Sequence, residues 1–236
     1  MKKITSVLFL FYCFSVGWAQ TVPPCTLEIT DAETFARDWT VIDVNSDVSA
    51  NTWAYNDGNA MYTQDKSNAA DDWLIAPAVT LEAGKAYKVS AYVKHSSTFG
   101  SDKQKIELKI GTAPTVEGLT TRLVYDESFQ SRLFVEKSGT FSPAESGVFY
   151  VGLRCYSESY NGDLYFQKIV IEEAPVYPAQ ITDLSIVAGE RGAMSATLSW
   201  TWPSSDHLGG ALSNLLGAKI YRGTDLVATL DTATVG

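Results

Sequence analysis

Apolar and polar residues alternate with a period of two along most of the chain. Tyr87, Val89, Ala91 and Val93 fall on one side, and Lys88, Ser90, Tyr92 and Lys94 on the other. This is the pattern of a strand with one face against a core. The same period sets Ile106, Leu108 and Ile110 against Glu107 and Lys109. It also sets Phe149, Val151, Leu153 and Cys155 against Val148, Tyr150, Gly152, Arg154 and Tyr156. Further β-rich pieces are predicted at Thr26–Thr30, Trp39–Val44, Asp71–Pro77, Arg122–Phe129, Leu133–Phe141 and Leu164–Ile171. Asn161-Gly162 reads as a hairpin turn between Val148–Tyr156 and Leu164–Ile171. Asn45–Gln64 is polar and turn-rich and reads as a long loop with at most a short strand. A helical period holds only for one turn near Ala32–Arg37. Strands, regular turns and an aromatic-rich core predict an antiparallel β-sandwich.

Glu172-Glu173-Ala174-Pro175-Val176-Tyr177-Pro178-Ala179 breaks this pattern with acids and prolines. A domain boundary is placed there, with a first domain over 20–173, a linker over 174–179 and a second domain over 180–236. The second part has about four strand candidates, at Ile181–Val187, Ala196–Trp202, Ala218–Tyr221 and Leu226–Leu230. An immunoglobulin-like sandwich needs about seven. The expectation is therefore a truncated second sandwich.

Lys2 and Lys3 precede an apolar run from Ile4 to Phe14, with Gly17 and Ala19 ahead of Gln20. This predicts a secretory signal over residues 1–19 and export to the medium or the outer cell surface. No later apolar run is long enough to span a bilayer as a helix. Removing the signal leaves 16 basic against 27 acidic residues, a formal net charge of −11. That balance argues against nucleic acid and anionic membranes as partners. It suits a solvated extracellular surface and tolerates divalent cations. Two cysteines remain, Cys25 and Cys155. In an oxidising compartment they are candidates for one long-range disulfide, and two buried free thiols are the alternative.

Several segments carry a resemblance. Trp39-Thr40-Val41-Ile42-Asp43, Asn51-Thr52-Trp53, Asp71-Asp72-Trp73-Leu74-Ile75-Ala76-Pro77 and Ala83-Gly84-Lys85-Ala86-Tyr87 occur in that order. Together they resemble the choice-of-anchor J or cleaved-adhesin domain, a jelly-roll module related to those of gingipain haemagglutinins. The resemblance covers roughly Cys25 to Glu173. Ile181-Thr182-Asp183-Leu184, Ala196–Trp200 with Pro203, and Lys219-Ile220-Tyr221-Arg222 are similar to the front half of a fibronectin type III domain. The resemblance implies a jelly roll followed by a partial fibronectin-like sandwich, and adhesion or binding of carbohydrate or extracellular protein without catalysis. One departure is visible. Gln167-Lys168 stand before Ile169-Val170-Ile171 where the family carries an acidic pair, so any cation ligands those acids supply in relatives are missing here.

Two sets of side chains are candidates for chemistry. Asp43, Asn45 and Asp47 have the alternate-residue spacing of a calcium loop, with Asp71 or Asp72 as further oxygen donors. Val48 and Ala54 break the EF-hand form, and a polar loop after a strand needs no metal. The second set is aromatic: Trp53 and Tyr55 in the long loop, and Tyr150, Tyr156, Tyr160 and Tyr165 around Arg154 and Asn161-Gly162. Flat rings edged by polar groups suit sugar stacking. The same tyrosines also suit the rim of a sandwich core. Trp39, Trp73 and Trp200 are assigned to packing. His95 and His207 fall in different domains, no nucleophile elbow occurs, and Cys155 sits in an inward register. The expected function is a secreted or surface binding module. The alternative is an accessory binding region of a larger exported peptidase or glycosidase, and a calcium-dependent glycosidase is a third reading.

Overall fold

The computed structural model describes residues 21–46, 51–97, 101–192, 194–207, 209–212 and 215–231. The predicted export signal and Asp47 of the calcium-loop motif lie outside them. In chain order the elements are β1 (Cys25–Glu28), α1 (Ala32–Asp38), β2 (Thr40–Asp43), β3 (Trp53–Asn56), β4 (Asn59–Tyr62), β5 (Asp72–Ile75), β6 (Val79–Leu81), β7 (Tyr87–His95) and β8 (Gln104–Gly111). They continue with β9 (Thr121–Phe129), β10 (Val135–Phe141), β11 (Gly147–Cys155), β12 (Leu164–Glu173), β13 (Ser185–Ala188), β14 (Ala196–Ser199), β15 (Ala218–Arg222) and β16 (Asp225–Leu230).

The first twelve strands form two antiparallel sheets. Sheet I has the order β10-β7-β12-β4-β3, with β1 also on β12; sheet II has the order β2-β5-β11-β8-β9, with β6 also on β11. The period-2 residues of β7, β8 and β11 point inward as expected. Val89, Ala91 and Val93 from sheet I meet Ile106, Leu108, Ile110, Val151 and Leu153 from sheet II in one buried cluster. The chain is therefore an all-β sandwich of jelly-roll type over its first part. Asp31 caps α1 by accepting from the Thr34 N–H at 2.7 Å, with Glu33 in the first turn and Arg37 in the last.

Three expectations are corrected. Asn161-Gly162 does not close a hairpin, because β11 lies in sheet II and β12 in sheet I. The segment between them crosses from one sheet to the other. The Asn45–Gln64 stretch holds two paired strands, β3 and β4, joined by Asp57 (φ 46°) and Gly58 (φ 75°). Two consecutive left-handed residues make the tight turn that matches strand twist.

The third correction concerns the cysteines, which are both free. Cys25 is paired with Ile171, which is paired with Val89. Cys155 instead bonds Gln104, beside the Asn161 carbonyl that His95 also contacts. Val89 and His95 are six residues apart on β7, roughly 20 Å along a strand, so the two thiols sit at opposite ends of the sandwich.

After the sandwich, Ala174 N–H still donates to the Ala86 carbonyl at 2.8 Å. Tyr177 and Ala179 of the expected linker bond with His207 and Ser205. The segment beyond contains two separate antiparallel pairs, β13–β14 and β15–β16. Ile186, Val187, Tyr221, Leu226 and Val227 on these pairs are exposed.

Candidate ligand-binding face

The outer side of sheet II carries an unusual density of charge and aromatic surface. Its register lines up Tyr125 of β9, Glu107 of β8, Arg154 of β11, Trp73 of β5 and Ile42 of β2 in one row across the strands. Arg122, Lys109, Gly152, Ile75 and Thr40 form the next row. Both rows point away from the main core, because each strand's alternate residues point into it.

Trp73 and Ile75 are nevertheless buried. The connection between β8 and β9 folds back over this side, held by Gly118 and Leu119 N–H bonds to the Thr115 carbonyl. Leu119 packs on Trp73 and Ile75, with Ile42, Val116 and Tyr150 at the margin. Gly152 makes the cover possible: a Cβ there would lie 2.4 Å from Leu119 Cδ1 and 3.2 Å from the Trp73 ring. This small second core explains why every residue of β5 is buried.

Charge is organised around Glu107, whose side chain is 3% exposed although it faces outward. Arg122 Nε donates to its Oε1 at 2.7 Å, Lys109 Nζ lies at 3.6 Å and Arg154 Nη1 lies 3.5 Å from Oε2. Arg154 Nε also donates to Asp71 Oδ1 at 2.7 Å, and that bond raises the guanidinium pKa above its ordinary value. The cations double as aromatic partners. Arg154 lies over Trp73 and Tyr156, Lys109 over Trp73, and Arg122 over Tyr125 at 4.6 Å.

Beyond this row, Tyr156 stacks on Tyr125 with centroids 5.9 Å apart and an interplanar angle of 21°. Burial and the neighbouring Tyr125 hydroxyl push the Tyr156 phenol well above its ordinary pKa. Tyr125 is 50% exposed, and its hydroxyl donates to Glu127 at 2.7 Å. The face therefore offers a stacked tyrosine pair bordered by two arginines, over a floor whose charges pair internally. Such a surface can meet the apolar face of a sugar with its ring edges and bond the sugar's hydroxyls through the flanking polar groups.

The structure thus brings Tyr150, Arg154 and Tyr156 together among the sequence candidates. It removes Trp53, a core residue 2% exposed whose Nε1–H donates to the Asp72 carbonyl. Tyr55 packs against that same core. Tyr160 lies in the connection after β11, and Tyr165 faces outward from sheet I beneath Lys94. Glu107, Arg122 and Tyr125 escaped the sequence reading. Their strand alternation was visible, but which strands stand side by side was not.

Of the calcium candidates, Asp43 and Asp72 are direct cross-strand partners of β2 and β5. They share the inward side, with Asp72 fully buried. Asp43 Oδ1 accepts from the Ser46 N–H, and the Asn45 amide donates to the Ala69 carbonyl. Two carboxylates this close fit the charge of a hard cation. They are too few by themselves for six to eight oxygens, and among the described residues no group of three His, Cys, Asp or Glu is gathered for a metal.

No protein-family model matches the chain, and no curated protein matches it. Among solved structures, the sandwich is similar to the K3 cleaved adhesin domain of Lys-gingipain from Porphyromonas gingivalis W83, at 11% identity and a TM-score of 0.48 over 61% of this chain and 97% of that domain. The K1 domain of the same protein matches at 14% identity and 0.46, over 64% of this chain and 99% of that one. The CBM22-1–GH10 modules of Clostridium thermocellum xylanase 10B, complexed with xylohexaose, match at 16% identity and 0.42, over 64% of this chain and 28% of that one.

Proposed function

We propose that the chain is an exported, non-catalytic carbohydrate-binding module displayed at or beyond the cell surface, and that the outer face of sheet II is its ligand surface. The observation that carries this is the stacked Tyr125–Tyr156 pair between Arg122 and Arg154. Because Glu107 and Asp71 neutralise the flanking cations, the face offers ring surface and hydrogen bonds rather than net charge. That suits a neutral glycan better than a polyanion. The second segment serves in this reading as a fibronectin-like spacer. The accessory-region alternative uses the same face beside a separate catalytic domain.

The test is a glycan and extracellular-matrix array probed with the full chain. Binding to a glycan is expected. A Tyr125→Ala/Tyr156→Ala double variant should bind it about five- to 150-fold more weakly, since two aromatic contacts at about 0.5–1.5 kcal/mol each sum to about 1–3 kcal/mol. Glycan binding untouched by the double variant, or binding only to matrix protein, would remove the face from this role.

The facing pair Asp43 and Asp72 supports a second, compatible element of the proposal, a structural calcium ion. Asp43, Asn45 and Asp72 would hold it and Asp47 would complete it. Its contribution would be to neutralise like charges at the end of the sandwich rather than to act in chemistry.

A further inference from the structure

We infer that the connection after β11 builds a second sugar site, a pocket centred on Tyr160 that receives the end of a glycan chain. The pocket measures about 380 Å³ and is lined by Gln64, Lys66, Ser96, Ser97, Asp102, Tyr160 and Gly162. It shares none of these residues with the tyrosine pair of sheet II. Its volume lies within the range of small-ligand sites, and a half-open recess of that size admits a single sugar unit where the sheet face suits a chain lying along it.

Three features set Tyr160 apart from an incidental surface tyrosine. The residue is 65% exposed, so packing does not explain it. Its backbone is left-handed at φ 67°, a conformation that side chains other than glycine and asparagine rarely adopt. It is held there by its N–H donating to the Asp65 carbonyl at 2.8 Å. Strain of this kind persists only where the surroundings over-determine it.

The surroundings do so here through a buried polar network. Gln104, fully buried, donates from Nε2 to the Asn161 and Gly162 carbonyls at 3.0 and 2.6 Å. His95 Nε2–H donates to the same Asn161 carbonyl, and Ser157 Oγ donates to Gln104 Oε1. The turn that follows Tyr160 is thereby fastened to the sandwich.

The polar groups around the ring both donate and accept. Gln64 Oε1 accepts from the Gly162 N–H and Ser96 Oγ accepts from the Asp163 N–H. This turns the Gln64 amide NH2 and the Ser96 hydroxyl hydrogen to other acceptors. Lys66 forms no ion pair among the described residues. Asp102 supplies the one carboxylate, which Ser97 and Ser101 hydroxyls already hold. An aromatic wall edged by groups that both donate and accept matches a pyranose, whose hydroxyls do both.

The test is amide chemical-shift mapping of the full chain with methyl β-glucoside, N-acetylglucosamine and glucuronic acid. The first two probe a neutral ring end and the third an acidic one engaging Lys66. At least one should shift the Gln64, Ser96 and Gly162 amides. Tyr160→Gly removes the ring and relieves the left-handed strain. It should weaken that binding tenfold or more while leaving the melting temperature unchanged or higher. Tyr125→Ala/Tyr156→Ala should leave these shifts in place, so the loss of one site is distinguishable from the loss of the other. Binding that persists in Tyr160→Gly, or no shift at these amides with any probe, overturns the proposal.

Discussion

Glu107 stands on the outer side of a sheet, where a carboxylate normally meets water, yet three cations close over it. Removing one partner of a buried ion cluster leaves the others uncompensated. Arg122 is more than half exposed and water screens part of its charge. Glu107→Gln is therefore expected to cost about 1–3 kcal/mol, measured as a fall in urea midpoint. A neutral result would mean that Arg122 and Arg154 hold their places without it. Cys155 is a second residue-scale case. Complete burial pushes its thiol up to about 12, so little thiolate exists at pH 8. Burial also raises Cys25, which is only half-buried. A thiol reagent should label Cys25 in the native protein and Cys155 only in denaturant. A mass two hydrogens lighter than the dithiol would instead show a bridge and contradict the end-to-end placement.

At the scale of elements, the connection over sheet II deserves the sharper test. Leu119 is the single side chain from the β8–β9 connection that is fully buried, and it covers Trp73. Leu119→Ala should cost about 2–4 kcal/mol, the usual range for a large-to-small change in a packed site, and shift tryptophan emission to the red. Gly152→Ala should disturb the same cover from below. An unchanged emission spectrum in both would mean that Trp73 is shielded by something other than this loop. The hairpin of β3 and β4 shows what local chemistry can signal: Asp57-Gly58 between alternating residues is a strong turn pair. Asn161-Gly162 carries an equal local signal, and there the chain changes sheets instead.

For the whole molecule, two ion pairs give a pH dependence, one bridging the sheets from β10 to β9 and one between the paired strands β10 and β7. Burial pushes the Asp126 carboxyl up, but the Lys137 ammonium and the Ser128 N–H outweigh it and hold it below its ordinary value. The Lys88 ammonium and the Ser90 hydroxyl do the same for Glu136. Depressed carboxylates contribute stability that is fully present above their unfolded values, near 3.8 and 4.5. It is lost as pH falls through the lower folded values. The melting temperature should thus be level from pH 7 to about 5 and fall below about 4. Lys137→Met should flatten part of that fall. Calcium at a hundredfold excess over its dissociation constant would add about 2.7 kcal/mol, several degrees in a domain of this size. No shift in millimolar calcium, or an equal shift in Asp43→Asn, would remove Asp43 and Asp72 as ligands.

Much of the fold is written in the order of residues. Alternation in Tyr87–Lys94, Ile106–Ile110 and Val148–Tyr156 is a local consequence of strand geometry, so it predicted both the strands and their inward faces. Composition likewise carried the β-rich character and the acidic surface. Strand neighbours are another matter, because pairing depends on contacts between residues far apart in the chain. Glu107 meets Arg154, and Tyr156 meets Tyr125, only once β8, β9 and β11 lie side by side. The same long-range packing buried Trp53 and put Cys25 and Cys155 at opposite ends. It also closed Leu119 over Trp73. Tyr150 and Tyr156 were legible as candidates on the outer face, and tertiary structure decided that Tyr125, from a distant strand, stands against Tyr156.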